Sequence, residues 1–315
     1  MENTRAKTTR NSLILLLTAT IWGMAFVSQS KGMDYMHPFT FNGVRSLIGA
    51  AGILVYILIS RKIAGDKAAK LDWKLNVRAG LLCGIFLTIA STLQQFGIKY
   101  TSVGKAGFIT TLYIIFVPMF GVFLKKKVAP VVWAAAGMAA VGMYLLCMTE
   151  SLRLGAGDIM VFLCAIAFAI QIMTVDHYAA RIDGAVVSCI QFTVCGVVCC
   201  IGALIWGQPT FGQIQEGLGA LLYAGVLSCG VGYTLQIVGQ KGLNPTVAAL
   251  IMSLESVIAT ISGWIAYKIG FLSTDQTLTP RQIAGCVIVF AAVILVQLPP
   301  EWFRFGKKNA SIKNA

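Results

Sequence analysis

Two stretches of the chain decide its architecture when one is written over the other: Thr92–Leu112, TLQQFGIKYTSVGKAGFITTL, and Thr234–Leu254, TLQIVGQKGLNPTVAALIMSL. At an offset of 142 they share Thr92/Thr234, Leu93/Leu235, Gln94/Gln236, Gly97/Gly239, Lys99/Lys241, Ala106/Ala248, Ile109/Ile251 and Leu112/Leu254 without a gap. Gly121/Gly263 extends the register. So many ungapped identities exceed what this composition gives by chance, and self-similarity at a fixed offset marks an internal duplication.

Outward from these stretches the chain is apolar almost throughout. Of its 315 residues 57% are hydrophobic and 12% charged, with a mean hydropathy of +0.79. A soluble domain carries about 25% charged residues, so a water-soluble fold is excluded. Apolar windows fall at 13–30, 39–60, 77–98, 103–124, 128–148, 157–176, 186–206, 216–240, 244–268 and 280–298. Each approaches the roughly 20 residues that a helix needs to cross a bilayer. None alternates with period two, so the spans are helices rather than barrel strands. The expected fold is all-α: ten transmembrane helices in two five-helix repeats, 12–148 and 157–298, with cytoplasmic tails at 1–11 and 299–315. Five is an odd number, so the second repeat enters the membrane upside down relative to the first. Inverted repeats of this kind are typical of secondary transporters, whose halves exchange conformations.

Positive charge sets the orientation. Seventeen Lys and Arg residues fall on the side of both termini, including Arg5, Lys7, Arg10, Arg61, Lys62, Lys74 and Lys125–Lys127. Six fall on the other side: Lys31, Lys99, Lys105, Arg153, Lys268 and Arg281. The positive-inside rule then places both termini in the cytoplasm of an inner (plasma) membrane protein. Basic residues ahead of the first apolar run resemble a signal peptide, but the run is long and a second span follows at once, so it reads as a retained first helix. Trp206, Trp264, Tyr267 and Trp302 sit where an interfacial aromatic belt expects them, whereas Trp22 lies mid-span.

Several function classes drop out. The net charge of +13 is what cytoplasmic loops and anionic headgroups require, and no basic stretch interleaves with aromatics as nucleic-acid binding would need. The nine cysteines lie inside apolar segments and the two histidines, His37 and His177, stand apart, so no metal centre and no cofactor is expected. No GxxxxGK[ST] motif is present for ATP coupling. An integral membrane enzyme would need clustered acids, histidines or an activated nucleophile. A channel would need charge rings or a filter, and a passive scaffold is the remaining alternative. The expected partners are a small-molecule substrate and the lipid bilayer, with protons as a candidate coupling ion.

The residues also resemble a known family. Trp22-Gly23, Pro38 with Arg45, Leu93–Gly121 (LQQFGIKYTSVGKAGFITTLYIIFVPMFG) and Ser253–Ala266 (SLESVIATISGWIA) are together similar to a ten-helix, EamA-type member of the drug/metabolite transporter superfamily. The resemblance covers about residues 12–298. Two features depart from it: Ser256 stands where the family often has proline, and Lys125–Lys127 and Lys268 replace an acidic residue that frequently closes helices 4 and 9. The resemblance implies efflux or exchange of small organic solutes such as amino acids, amines, sugars or drugs. It also implies a central cavity lined by helices 1, 3, 4, 6, 8 and 9.

The candidate site residues follow from polarity at membrane depth. Glu255 lies near the middle of helix 9, where a charged side chain costs about 2.5–3.5 kcal/mol on insertion scales; it is read as a carboxylate for substrate or proton, against a structural hydrogen bond. Tyr113 is its mate at offset 142. It offers a ring face and a hydroxyl, against a core aromatic. Gln94 and Gln236 are identical mates that bind substrate, latch the gates or act as interhelical glue. Trp22 and Tyr233 are further cavity candidates, as is Gln171, against packing. Arg45 is a binding candidate whose bland reading is a stem that snorkels outward. Asp176 reads as interfacial, Pro118 and Pro245 as kinks or clean helix starts, and Gly225, Gly230 and Gly232 as a close helix approach or a bend that moves. Direction of transport and oligomeric state leave no mark in the sequence.

Overall fold

The computed structural model describes residues 2–65, 71–125, 128–147, 155–273 and 275–297. Among these the chain is helical, with no strand. The helices are α1 (Glu2–Gly32), α2 (Pro38–Ala64), α3 (Trp73–Ile98), α4 (Val103–Phe123), α5 (Pro130–Cys147), α6 (Ala156–Tyr178), α7 (Gly184–Gly207), α8 (Leu218–Gln240), α9 (Pro245–Lys268) and α10 (Pro280–Gln297). Within the described residues eight are long and apolar enough to cross a membrane, and the apolar segments Pro130–Gly142 and Pro280–Leu295 of α5 and α10 are shorter. Residues 148–154 and 298–315, with Arg153 and Trp302, lie outside the described residues, as do Lys67, Lys70, Lys126 and Lys127.

Ordinary capping chemistry sets the helix starts. Pro38 and Pro245 open α2 and α9 at positions where a missing N–H costs nothing, and His37 Nδ1 and Asn244 Oδ1 accept from Phe39 N and Thr246 N. Asp72 and Asp183 cap α3 and α7.

The burial pattern is that of a membrane protein. Leu54, Val55, Tyr56, Leu58, Val197, Ile201 and Leu204 are exposed, while Asn42, Gln95, Gln171, Ser188 and Gln191 are buried inside the bundle. Water would reverse that arrangement; lipid tails favour it.

Packing pairs the helices in a regular way. The heaviest contacts include α2 on α7, α5 on α10 and α3 on α6; α3 also lies on α7, α8 on α1 and α2, α4 on α6 and α9 on α1. Small residues allow the closest of these. A Cβ built on Gly225 would stand 2.8 Å from Ile48 Cβ and 2.9 Å from the Arg45 carbonyl, so α8 meets α2 backbone to side chain there. Gly225 thus takes the close-approach role, whereas a Cβ at Gly230 would meet nothing nearer than 3.5 Å. Around them α8 is wound as a π-helix over Tyr223–Gly232.

One ion pair ties the α3–α4 turn to the start of α6. Asp158 accepts from Lys105 Nζ at 2.6 Å, Thr101 Oγ1 at 2.9 Å and Gly155 N at 2.9 Å. At the other end of the bundle the α8–α9 turn is tied to α1 by a neutral bond, Asn11 Nδ2 to the Lys241 carbonyl at 2.7 Å. The Asp158→Asn variant is expected to lose about 2 kcal/mol, because a charge-assisted acceptor is removed while Lys105 and Thr101 stay in place. Thermal unfolding in detergent checks this, and an unchanged melting temperature would show that the pair contributes nothing.

Candidate functional site

Seven of the candidate residues converge on one cavity inside the bundle, whereas Gln171, the other cavity candidate, is not in its lining. Trp22, Arg45, Gln94, Tyr113, Tyr233, Gln236 and Glu255 all line it. Phe26, Gln29, Thr110, Phe168, Ile172 and Ser228 complete the wall.

Glu255 is 4% exposed, and its Oε1 accepts a hydrogen bond from Tyr113 Oη at 3.0 Å. The two residues are 142 apart in sequence, the same spacing that relates the duplicated stretches. Both follow a break in their helix. α4 is interrupted at Leu112, where Leu112 N bonds the Ile109 carbonyl in a tight i−3 turn, and resumes at Tyr113. α9 is interrupted at Ser253 and resumes at Leu254, with Ser256 N bonded to the Ser253 carbonyl. Side-chain hydroxyls fold back at both breaks: Thr111 onto Phe108, Ser253 onto Leu250 and Ser256 onto Ser253. Such bonds compete with the helical ladder and loosen it locally.

α1 approaches this centre through Gly23. A Cβ there would lie 2.7 Å from the Glu255 carbonyl and 2.6 Å from Ile258 Cβ. The neighbouring Trp22 ring packs on Tyr233 with centroids 4.5 Å apart, and Phe192 meets Tyr233 edge-on at 5.0 Å. This accounts for a tryptophan at mid-span, which an interfacial belt does not.

The two glutamine mates take different partners. Gln94 Nε2 donates to Thr110 Oγ1 at 3.2 Å, within the α3–α4 hairpin. Gln236 exchanges amide hydrogen bonds with Gln171 across α8 and α6, at 3.2 and 3.5 Å. Arg45 is 5% exposed and lines the cavity, with its Cζ 5.4 Å from the Phe41 ring. Asp176 is half-buried near the end of α6, away from the cavity.

Sequence reasoning passed over half of the wall, though part of it was readable. Trp22, Phe26 and Gln29 stand at i, i+4 and i+7 on one face of α1. Phe168 and Ile172 share a face of α6 in the same way. Ser228 was not legible by periodicity. It lies five residues before Tyr233, a spacing that shares a face in the π-helical stretch but not in an α-helix.

The cavity is small, about 30 Å³. That is room for about two water molecules and far below the roughly 300–1,000 Å³ of a pocket for a small organic molecule. A small organic solute does not fit the cavity in this conformation.

Comparison with known proteins identifies the class. The model of the EamA-like transporter family matches residues 10–148 and again 155–298. The chain belongs to this family, and is accordingly a multi-pass membrane transporter rather than an enzyme. It is 28% identical over 290 residues to an uncharacterized transporter of Archaeoglobus fulgidus, covering 90% of this chain and 84% of that one. It is 24% identical to the uncharacterized transporter YwfM of Bacillus subtilis, covering 92% and 94%. A solved crystal structure matches with a TM-score of 0.72 over 94% of this chain and 99% of that one; at 16% identity it speaks for the fold alone.

Proposed function

We propose that the protein is a secondary transporter that moves a small organic solute, an amino acid, amine or related metabolite or drug, across the plasma membrane by alternating access. In this reading it has ten spans in two inverted repeats, 12–148 and 157–298, with both termini cytoplasmic, and it works in the direction of export. Glu255 is the carboxylate that binds the substrate or the coupling proton.

One observation carries the reading: Tyr113 and Glu255, repeat mates at offset 142, hydrogen-bond each other in the central cavity. Residues related by a two-fold axis touch only where they lie close to that axis. The contact is what a two-fold relation between the repeats would produce near its axis, and it supports a central cavity there, where inverted-repeat transporters hold their substrates. Packing supports the same symmetry. Under the relation α1/α6 through α5/α10, the contacts α3–α6, α3–α7 and α4–α6 map onto α8–α1, α8–α2 and α9–α1, while α2–α7 and α5–α10 map onto themselves. The positive-inside count supports the orientation, and family membership supports solute transport.

The experiment is solute flux in liposomes containing the purified protein, with and without a pH gradient. The reading predicts saturable, protein-dependent exchange for one chemical class. Rates unaffected by a pH gradient would assign Glu255 to substrate and not to protons. Currents exceeding carrier turnover would assign a channel instead.

A further inference from the structure

A groove of about 630 Å³ opens on the outside of α3, lined by Trp73, Lys74, Val77, Arg78, Leu81 and Leu82. Helical spacing gives it two chemistries. Lys74, Arg78 and Leu82 follow one another at steps of four, as do Trp73, Val77 and Leu81, so two adjacent rows run along one side of the helix. The first row starts with two cations and ends apolar. The second starts with an exposed indole and continues beyond the groove as Ile85 and Ile89, both exposed.

Neither cation is answered by a carboxylate. Ion pairs among the described residues are Lys31–Asp34 and Lys105–Asp158. The neighbouring Asp72 caps α3 by accepting from Leu75 N, and among the described residues no acid lines the groove. The preceding helix, α2, adds Arg61 and Lys62 in its last turn. The duplication does not require these charges either: at offset 142 Trp73, Lys74 and Arg78 correspond to Gln215, Glu216 and Ala220.

Depth decides what the cations face. Trp73 opens α3, where an interfacial ring belongs, and Arg78 lies five residues, about 7.5 Å, further along the axis. Beyond Arg78 the exposed side chains of α3 are Leu81, Ile85 and Ile89. Free space continues at that level: a second groove of about 460 Å³ shares Leu82 and passes over Phe120, Phe123 and Met173 of α4 and α6. Cations above and an apolar floor below match a molecule with an anionic head and hydrocarbon tails.

We infer that this groove binds an anionic phospholipid, with Arg78 and Lys74 holding its phosphate and the acyl chains lying on Leu81 and Leu82 toward the second groove. The guanidinium fork donates two parallel N–H···O bonds to a phosphate, and the ammonium adds a point charge. In the orientation proposed above, this end of α3 meets the cytoplasmic leaflet, whose surface is negative.

The test is native mass spectrometry of the full-length protein in detergent, titrated with phosphatidylglycerol and with phosphatidylcholine of the same chains. The expected result is at least about tenfold tighter binding of phosphatidylglycerol, the worth of one charged hydrogen bond. The Lys74→Gln/Arg78→Gln double variant is expected to lose that preference. Lys268→Gln, which removes a charge at the opposite end of the bundle, is expected to keep it, and soluble glycerol phosphate to displace no bound lipid. Equal binding of the two lipids would overturn the site. So would an equal loss in Lys268→Gln, which would mean diffuse attraction by the net charge, and so would displacement by glycerol phosphate, which would mean a site for a soluble anion. Should the double variant fail to fold, Arg78→Gln alone and the unaltered protein decide. Flux is no part of the readout, so failure here leaves the transport reading untouched.

Discussion

Replacing Glu255 with glutamine is expected to reduce transport at least about tenfold while leaving the fold as stable as before, or more stable. The substitution keeps the shape and leaves a carbonyl oxygen to accept from Tyr113 Oη, the bond now made at 3.0 Å. In the proposed transport reading it removes the charge, and with it either a charge-assisted hydrogen bond to the substrate, worth about 1.5–3 kcal/mol, or the group that takes up the coupling proton. It also removes the cost of holding a carboxylate inside the bundle, where Glu255 is 4% exposed. Function and stability therefore move in opposite directions. Tyr113→Phe deletes only the partner hydroxyl and is expected to have the smaller effect on flux, corresponding to about 1 kcal/mol. Flux in liposomes measured beside thermal unfolding in detergent separates the outcomes. A Glu255→Gln protein that melts lower yet transports normally per folded molecule would make the carboxylate a structural tie.

The second large effect concerns Gly97, and it falls on stability. A Cβ at Gly97 would stand 2.3 Å from Val161 Cγ2 and 2.8 Å from the Gly157 carbonyl. The contact is reciprocal, since a Cβ at Gly157 would meet the Gly97 carbonyl at 2.9 Å. Backbone atoms cannot swing aside as a side chain does, so α3 and α6 would have to separate. Gly97→Ala is expected to cost about 1–3 kcal/mol, and Gly97→Leu to prevent recovery of monodisperse protein. Its repeat mate provides the control. At Gly239 the atoms in the way are Leu15 Cδ2 at 2.7 Å, Leu15 Cγ at 2.8 Å and Ile14 Cγ2 at 3.2 Å, all side chain. Gly239→Ala should therefore melt closer to the parent. Equal losses in the two alanine variants would show that the α3–α6 crossing has no special tightness.

The two glycines illustrate what an internal repeat tells and what it conceals. The identity of Gly97 and Gly239 is visible in sequence and points to corresponding helix crossings, α3 on α6 and α8 on α1. Their different tolerance is not visible, because it depends on whether backbone or a flexible side chain lies opposite. Gln94 and Gln236 behave alike in this respect: identical letters, one bonded to Thr110 and the other to Gln171.

Composition and spacing by themselves determined that the chain lives in a membrane, that it is helical, and that it is duplicated. Apolar length is a property of each segment alone, and an offset of 142 can be read without any coordinates. They also selected Glu255, Tyr113, Trp22 and Arg45, since a polar or bulky group deep in an apolar run stands out on its own. Only the tertiary structure decided which of these groups meet. The Tyr113–Glu255 bond, the Trp22–Tyr233 contact and the Gln171–Gln236 pair depend on helices far apart in the chain, and Ser228 joins the wall only because α8 winds as a π-helix there. Sequence periodicity reports which face of a helix is buried; it carries no information about what that face is buried against, and the chemistry of this site lies in those pairings.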